Sequence, residues 1–164
     1  ENIKGKLVIG SAVNLDFQDN FFDSVFSSDT FNFLTLEEKE KMISEVFRVL
    51  KPGGIFTIKT PNLSFLKISL YLRRILNLLR LKSPFIHIAH TRNNPDSVHI
   101  GLTTHADLQK LLENNFFHTP TITYVPLIRK GLPQFITNFM YGKRGFSESI
   151  IMTSRKAIFK GVWG

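Results

Sequence analysis

Apolar and polar positions along this chain follow two periods. From Leu36 to Leu50 the period is helical: Leu36, Met42, Ile43, Val46, Phe47, Val49 and Leu50 share one face, and Glu37, Glu38, Glu40, Lys41, Glu45 and Arg48 share the other. Thr35 followed by Glu38 predicts a capping box at its start, and Lys51-Pro52-Gly53-Gly54 predicts its end. Short apolar runs bounded by turn residues predict strands over 6–12, 24–28 and 55–59, and looser alternation predicts two more over 119–125 and 148–154. A second long helix is expected over 63–81, with Phe65, Ile68, Leu72, Ile75, Leu76 and Leu79 on one face and a mixture of cations and leucines on the other. A third is expected over 104–114, with Leu108, Leu111 and Leu112 inward and Thr104 and Asp107 as its cap. Residues 83–101 read as loop. A strand, a helix and a strand joined this tightly imply a parallel pair, and so an α/β fold.

Composition narrows the chemistry. The 164 residues are 43% hydrophobic, enough for one core, and no cysteine is present, which excludes disulfides, thiol nucleophiles and cysteine-ligated zinc. Charge is divided unevenly: residues 1–45 hold nine acids and four bases, whereas residues 46–164 hold four acids and seventeen bases. Between Val46 and Pro95 there is no acid at all, while Arg48, Lys51, Lys59, Lys67, Arg73, Arg74, Arg80, Lys82 and Arg92 are basic. Such a field attracts anions: a phosphorylated or carboxylated substrate, an anionic membrane or nucleic acid. Nucleic acid is the least favoured, because the basic helix carries leucines rather than stacking aromatics. Lys67, Arg73 and Arg74 interrupt the apolar run of 63–81, which excludes a membrane-spanning role for it. That helix is expected to be a lid, an interfacial helix on a membrane, or a core helix whose second apolar side packs on the N-terminal part of the longer protein or on another subunit. The sequence starts at Glu1, shows no signal-peptide pattern in its early segment, and is expected to be a fragment of a longer product.

Candidate site residues follow from position. Asp29, after an apolar strand, is placed to point into the crevice of an open α/β sheet. Asp19, Asn20 and Asp23 lack calcium-loop spacing and read as turn residues. The five histidines show no metal spacing, so no metal site is expected. His90 and His99 are the candidates for a general base, titrating near neutral pH, with a hydrogen-bonding role that pins the loop as the alternative.

The residues also carry a resemblance. Gly10-Ser11-Ala12, then Leu15-Asp16-Phe17-Gln18-Asp19-Asn20-Phe21-Phe22-Asp23, then Glu45-Val46-Phe47-Arg48-Val49-Leu50-Lys51-Pro52-Gly53-Gly54 and Thr60-Pro61-Asn62 resemble the middle of a class I S-adenosylmethionine-dependent methyltransferase of the type-11 kind. His99-Ile100-Gly101-Leu102-Thr103 and the stretch from Leu111 to Phe117 are similar to later segments of that family. The resemblance implies a Rossmann-like methyltransferase fold, a mostly parallel sheet of seven strands with the last antiparallel and helices on both faces. It implies S-adenosyl-L-methionine as cofactor, with Ser11 and Ala12 bordering its adenine and Asp29, Thr30 and Phe31 approaching its methionine portion and methyl group. The family's first strands, its glycine-rich turn and its ribose-binding acid are expected upstream of Glu1, so this chain alone is expected to bind the cofactor poorly. Ser11 stands where the family usually has Asp, and Phe33 where many members have His. The whole chain is then one partial methyltransferase domain, with 1–62 on the cofactor side, 63–101 an inserted helix and loop forming a lid or acceptor region, and 102–164 the C-terminal helix and strands. The activity implied is methyl transfer to a small or lipid-linked acceptor, and the location cytoplasmic or peripheral at a membrane. The alternative is an inactive methyltransferase-like module that binds a membrane surface or protein partner through the basic helix 63–82. Acceptor identity and oligomeric state have no readable motif.

Overall fold

A computed structural model describes residues 5–80, 102–126, 138, 143 and 147–158. Its elements run in the order β1 (Phe22–Ser28), a 3-10 turn (Phe31–Phe33), α1 (Leu36–Val49), β2 (Leu50–Pro61), α2 (Leu63–Leu79), α3 (His105–Asn114), β3 (Thr121–Pro126) and β4 (Ser147–Arg155). The sheet order is β1-β2-β4-β3. β1 and β2 are parallel, as a strand, crossover helix and strand require, whereas β4 is antiparallel to both β2 and β3. Three of the four strands therefore point one way, and the last in sequence is inserted against them, matching the expected antiparallel final strand.

The helical period over 36–50 is realised as α1. Met42, Ile43, Val46 and Val49 are buried, and the capping box closes with both of its bonds: Glu38 N donates to Thr35 Oγ1 at 3.3 Å and Thr35 N to Glu38 Oε2 at 2.8 Å. That backbone donor is the main reason the Glu38 carboxyl titrates below the usual carboxylate range. The helix ends differently from the expectation. Leu50 already has extended backbone and opens β2, so no loop separates the two elements. Lys51-Pro52-Gly53-Gly54 instead forms an irregularity inside β2, since the register with β1 steps from Phe22↔Leu50 to Ser24↔Ile55. Pro52, which has no ladder donor, is accommodated there, and Gly53 takes a positive φ of 75°.

One face of the sheet carries the core. Phe56 and Ile58 of β2 and Ile150 and Met152 of β4 meet Ile43 and Val46 of α1, Leu108 and Leu112 of α3, and the rings of Phe31 and Phe117. On β2 the intervening Thr57 faces the other way, 3.2 Å from Thr153 across the sheet. Asn62, at the end of the Thr-Pro-Asn run, binds three ways. Its N–H donates to Glu148 O, its Nδ2 donates to Ser147 O at 2.7 Å, and its Oδ1 accepts from Ser64 N as the cap of α2. One buried side chain thus ties the end of β2 to the start of β4 and launches α2.

The expected strand over 6–12 does not form. Residues 5–10 have no regular structure, and Leu7 and Ile9 are fully exposed; beyond them only an isolated bridge joins Ser11 to Asn14. Strand conformation is stabilised by a neighbour, and among the described residues none pairs with this segment. The whole of the expected loop 83–101, with His87, His90 and His99, lies outside the described residues.

Candidate functional site

The carboxyl end of β1 is built by three consecutive residues. Asp29 leaves the strand with a positive φ of 57°, while its N–H still donates to Lys59 O at 2.9 Å and so extends the β1–β2 pairing by one bond. Its carboxylate accepts from Ser28 Oγ at 2.9 Å and from Lys59 Nζ at 3.3 Å, and remains half exposed. Thr30 Oγ1 donates to Ser28 O. Phe31 then turns inward and is only 1% exposed, so its ring belongs to the core and not to the crevice. What the site receives from 29–31 is a carboxylate, a hydroxyl and main chain.

Ser11 and Ala12 lie elsewhere. They line a cavity of about 720 Å³ together with Val8, Ile9, Leu15, Phe17, Phe21 and Phe22. Phe17, Phe21 and Phe22 form a ring cluster, with edge contacts of 4.9 Å and 4.8 Å between centroids. Ser11 Oγ accepts from Val13 N in a turn closed by Asn14 N to Ser11 O. Phe22 opens β1 and Asp29 follows its end. The structure therefore does not gather the five expected cofactor residues into one cavity.

Two sets of interactions, invisible to the helical pattern, hold these segments. The first is a clamp from α1. Arg48 donates to Leu15 O, Phe17 O and Asp19 Oδ1, and to both carboxylate oxygens of Glu45, while Glu45 Oε2 accepts from Leu15 N at 2.8 Å. The Glu and Arg of the Glu-x-x-Arg-Val-Leu-Lys-Pro-Gly-Gly run thus fasten the Leu15–Asp19 loop, which follows Ser11 and Ala12. Hydrogen bonding to Arg48 keeps the Glu45 carboxyl below its usual range, and Glu45 and Asp19 raise Arg48 further. Lys156 adds to the same corner, donating to Leu50 O and Asn20 Oδ1 with its ammonium 4.5 Å from the Phe47 ring centre; burial lowers its pKa.

The second set centres on Lys39. This α1 lysine is buried, donates to Thr103 Oγ1 at 2.6 Å and lies 5.7 Å from the ring centre of Phe31. Burial lowers its pKa, opposed by the Asp107 carboxylate. It fastens the entry to α3 beside the residues that follow Asp29. No signal in the local sequence marks it, because Thr103 is 64 positions away.

Among the described residues no cluster of three or more potential metal ligands occurs. His118 is exposed beside β3, and His105 opens α3.

Residues 1–58 match the model of a methyltransferase domain, type 11. Over 56 residues the chain is 46% identical to the ubiquinone/menaquinone biosynthesis C-methyltransferase UbiE of Wigglesworthia glossinidia brevipalpis, an alignment covering 32% of this chain and 22% of that protein. It is 43% identical over 51 residues to squalene methyltransferase 1 of Botryococcus braunii, covering 31% and 13%. The matched stretch thus spans less than a quarter of these curated relatives. Among solved structures, a SAM-dependent methyltransferase from Methanosarcina mazei superposes with a TM-score of 0.63 at 21% identity, over 94% of this chain and 68% of that one. A SAM-dependent methyltransferase from Archaeoglobus fulgidus gives 0.58 at 14% identity, over 91% and 66%. Residues 1–58 carry the type-11 methyltransferase-domain match, and the described residues form part of a Rossmann-like methyltransferase fold.

Proposed function

We propose that this chain is the C-terminal part of an enzyme that transfers a methyl group from S-adenosyl-L-methionine to a small or lipid-linked acceptor. The observation that carries the reading is the methyltransferase match over residues 1–58, which includes β1 and the Asp29 that follows it. The residues present fit part of the cofactor. A half-exposed carboxylate at a strand's carboxyl end suits a sulfonium, and an apolar cavity edged by Ser11 suits a planar base. The glycine-rich turn and ribose-binding acid are not found in this sequence.

When bound, S-adenosylmethionine supplies the electrophilic methyl group. Asp29 and Thr30 would line its methionine portion, with Lys59 and Ser28 fixing the carboxylate's orientation. Ser11 and Ala12 would border the adenine, once the Leu15–Asp19 loop that they precede is held by Arg48. The chain would contribute alignment first and proton removal second. For the latter His99 and His90 are our candidates. Both fall in the expected loop 83–101, and histidine titrates near neutral pH, the range in which a general base works. The acceptor class is supported by the relatives, which include a ubiquinone/menaquinone biosynthesis C-methyltransferase, a squalene methyltransferase and a sterol 24-C-methyltransferase.

The test is calorimetric titration of S-adenosylhomocysteine into the natural full-length polypeptide, with this 164-residue chain as the control. Micromolar binding by the former and none by the latter is the expected result. Asp29→Ala in the full-length protein should then weaken binding about tenfold, the usual loss of a charged contact; unchanged affinity and turnover would remove Asp29 from the site.

A further inference from the structure

The feature that the methyl-transfer reading does not use is α2. It is a 17-residue helix, about 25 Å long, capped by Asn62 and joined to the sheet through β2 and β4. At about 100° per residue, Leu78, Tyr71, Ile75, Leu79, Leu72 and Leu76 follow one another around some 160° of its surface. Each of them is exposed, from 40% at Ile75 to 75% at Leu79. The apolar face expected from the sequence is therefore real but unburied, and the side turned inward is the one through Leu66, Ser69, Leu70 and Asn77, which are half-buried.

The cations are arranged around that face. Lys67 and Arg74 lie along one border of the apolar arc and Arg80 along the other, and all three are exposed. No acid occurs anywhere from Val46 to Pro95, so the helix carries no negatively charged side chain of its own. A broad apolar face flanked by cations on long alkyl stems is how a helix lies in the plane of a bilayer interface: leucines enter the acyl boundary while lysine and arginine reach up to the headgroups. The helix is too short to span, and among the described residues none is long and apolar enough to cross a membrane.

We infer that α2 is an interfacial helix that seats the protein on an anionic lipid surface, its Leu72–Ile75–Leu79 side inserted and Lys67, Arg74 and Arg80 paired with phosphate headgroups. The inference rests on exposure and charge alone and stands whether or not the chain transfers methyl groups. An alternative occupant of the same face, such as a second copy or another protein segment, would need neither anionic lipid nor the flanking cations.

The experiment is co-sedimentation of the natural full-length polypeptide with phosphatidylcholine vesicles, with and without about 30% phosphatidylglycerol, at low and high salt. Partitioning onto the anionic vesicles, weakened by salt, is expected. Leu72→Glu with Ile75→Glu should reduce it at least tenfold, and neutralising Lys67, Arg74 and Arg80 to Gln should reduce it on the order of a hundredfold, about fivefold for each cation. These positions are exposed, so unchanged circular dichroism is expected and is checked in parallel. Equal partitioning with both lipids, no partitioning, or insensitivity to the Leu72/Ile75 change would overturn the inference. So would a dimer, seen by sedimentation velocity, that this double change dissociates in the absence of any lipid binding.

Discussion

The Glu45–Arg48 pair shows how one residue couples helix to loop. Glu45 Oε2 accepts from both Arg48 and the Leu15 main chain, so its ionised form is held in place on two sides. Its folded pKa lies below the ordinary 4.5, chiefly because of Arg48. A carboxylate depressed in the folded state stabilises the fold fully above its unfolded value and loses that contribution as pH falls through the folded value. Glu45→Gln should therefore melt several degrees below the natural protein at pH 7, with the difference shrinking below about pH 4.5 as Glu45 becomes protonated. Thermal melts of both proteins from pH 7 to pH 3 provide the check, and a gap that stays constant would show that the carboxylate's charge is not what matters. The capping box at Thr35 was legible because its partners are three residues apart, whereas this clamp was not: Arg48 reaches partners 29 to 33 positions away, and only the fold brings them within reach. Lys39 is the sharper case. It sits among glutamates in the sequence and in the core in the structure.

Elements were readable to the extent that they supply their own partners. α1 needed only its face and its cap, and β1 and β2 needed each other and the helix between them. The strand expected over 6–12 has a suitable apolar run but no neighbour to pair with among the described residues, and its propensity alone does not order it. Pro-Gly-Gly was read as a helix stop, yet its requirement is set inside β2. A Cβ on Gly54 would sit 2.8 Å from Lys51 O and 3.1 Å from Asp23 O, both main-chain atoms that cannot rotate away. Gly54→Ala should cost about 1–3 kcal/mol, as overpacking of a close contact does, read as a lower urea midpoint with unchanged slope. A neutral result would mean that the irregularity in β2 relaxes freely. The expected face of α2 was likewise drawn correctly from its period, but periodicity identifies which residues share a face and not what covers them.

Across the molecule, the sheet has an edge strand at each end among the described residues. β3 pairs only with β4 at one end and β1 only with β2 at the other, and Phe26 on β1 is 63% exposed. An open, apolar strand edge is a template for another strand. The solved structures of this fold exceed the present chain by about a third of their length, enough to supply further strands. If β1 is where they add, amides of Phe22–Ser28 directed away from β2 should exchange slowly in the natural full-length polypeptide and rapidly in this 164-residue chain, while β2 and β4 remain protected in both. The same addition would give residues 5–12 the neighbour they lack and bring Ser11 and Ala12 toward the carboxyl end of β1, joining the two halves of the candidate site. Hydrogen exchange thus tests the site's assembly independently of any ligand. Equal, rapid exchange of β1 in both proteins would mean that its edge stays open, that Ser11 and Asp29 serve separate places, and that the cofactor reading must rest on Asp29 alone.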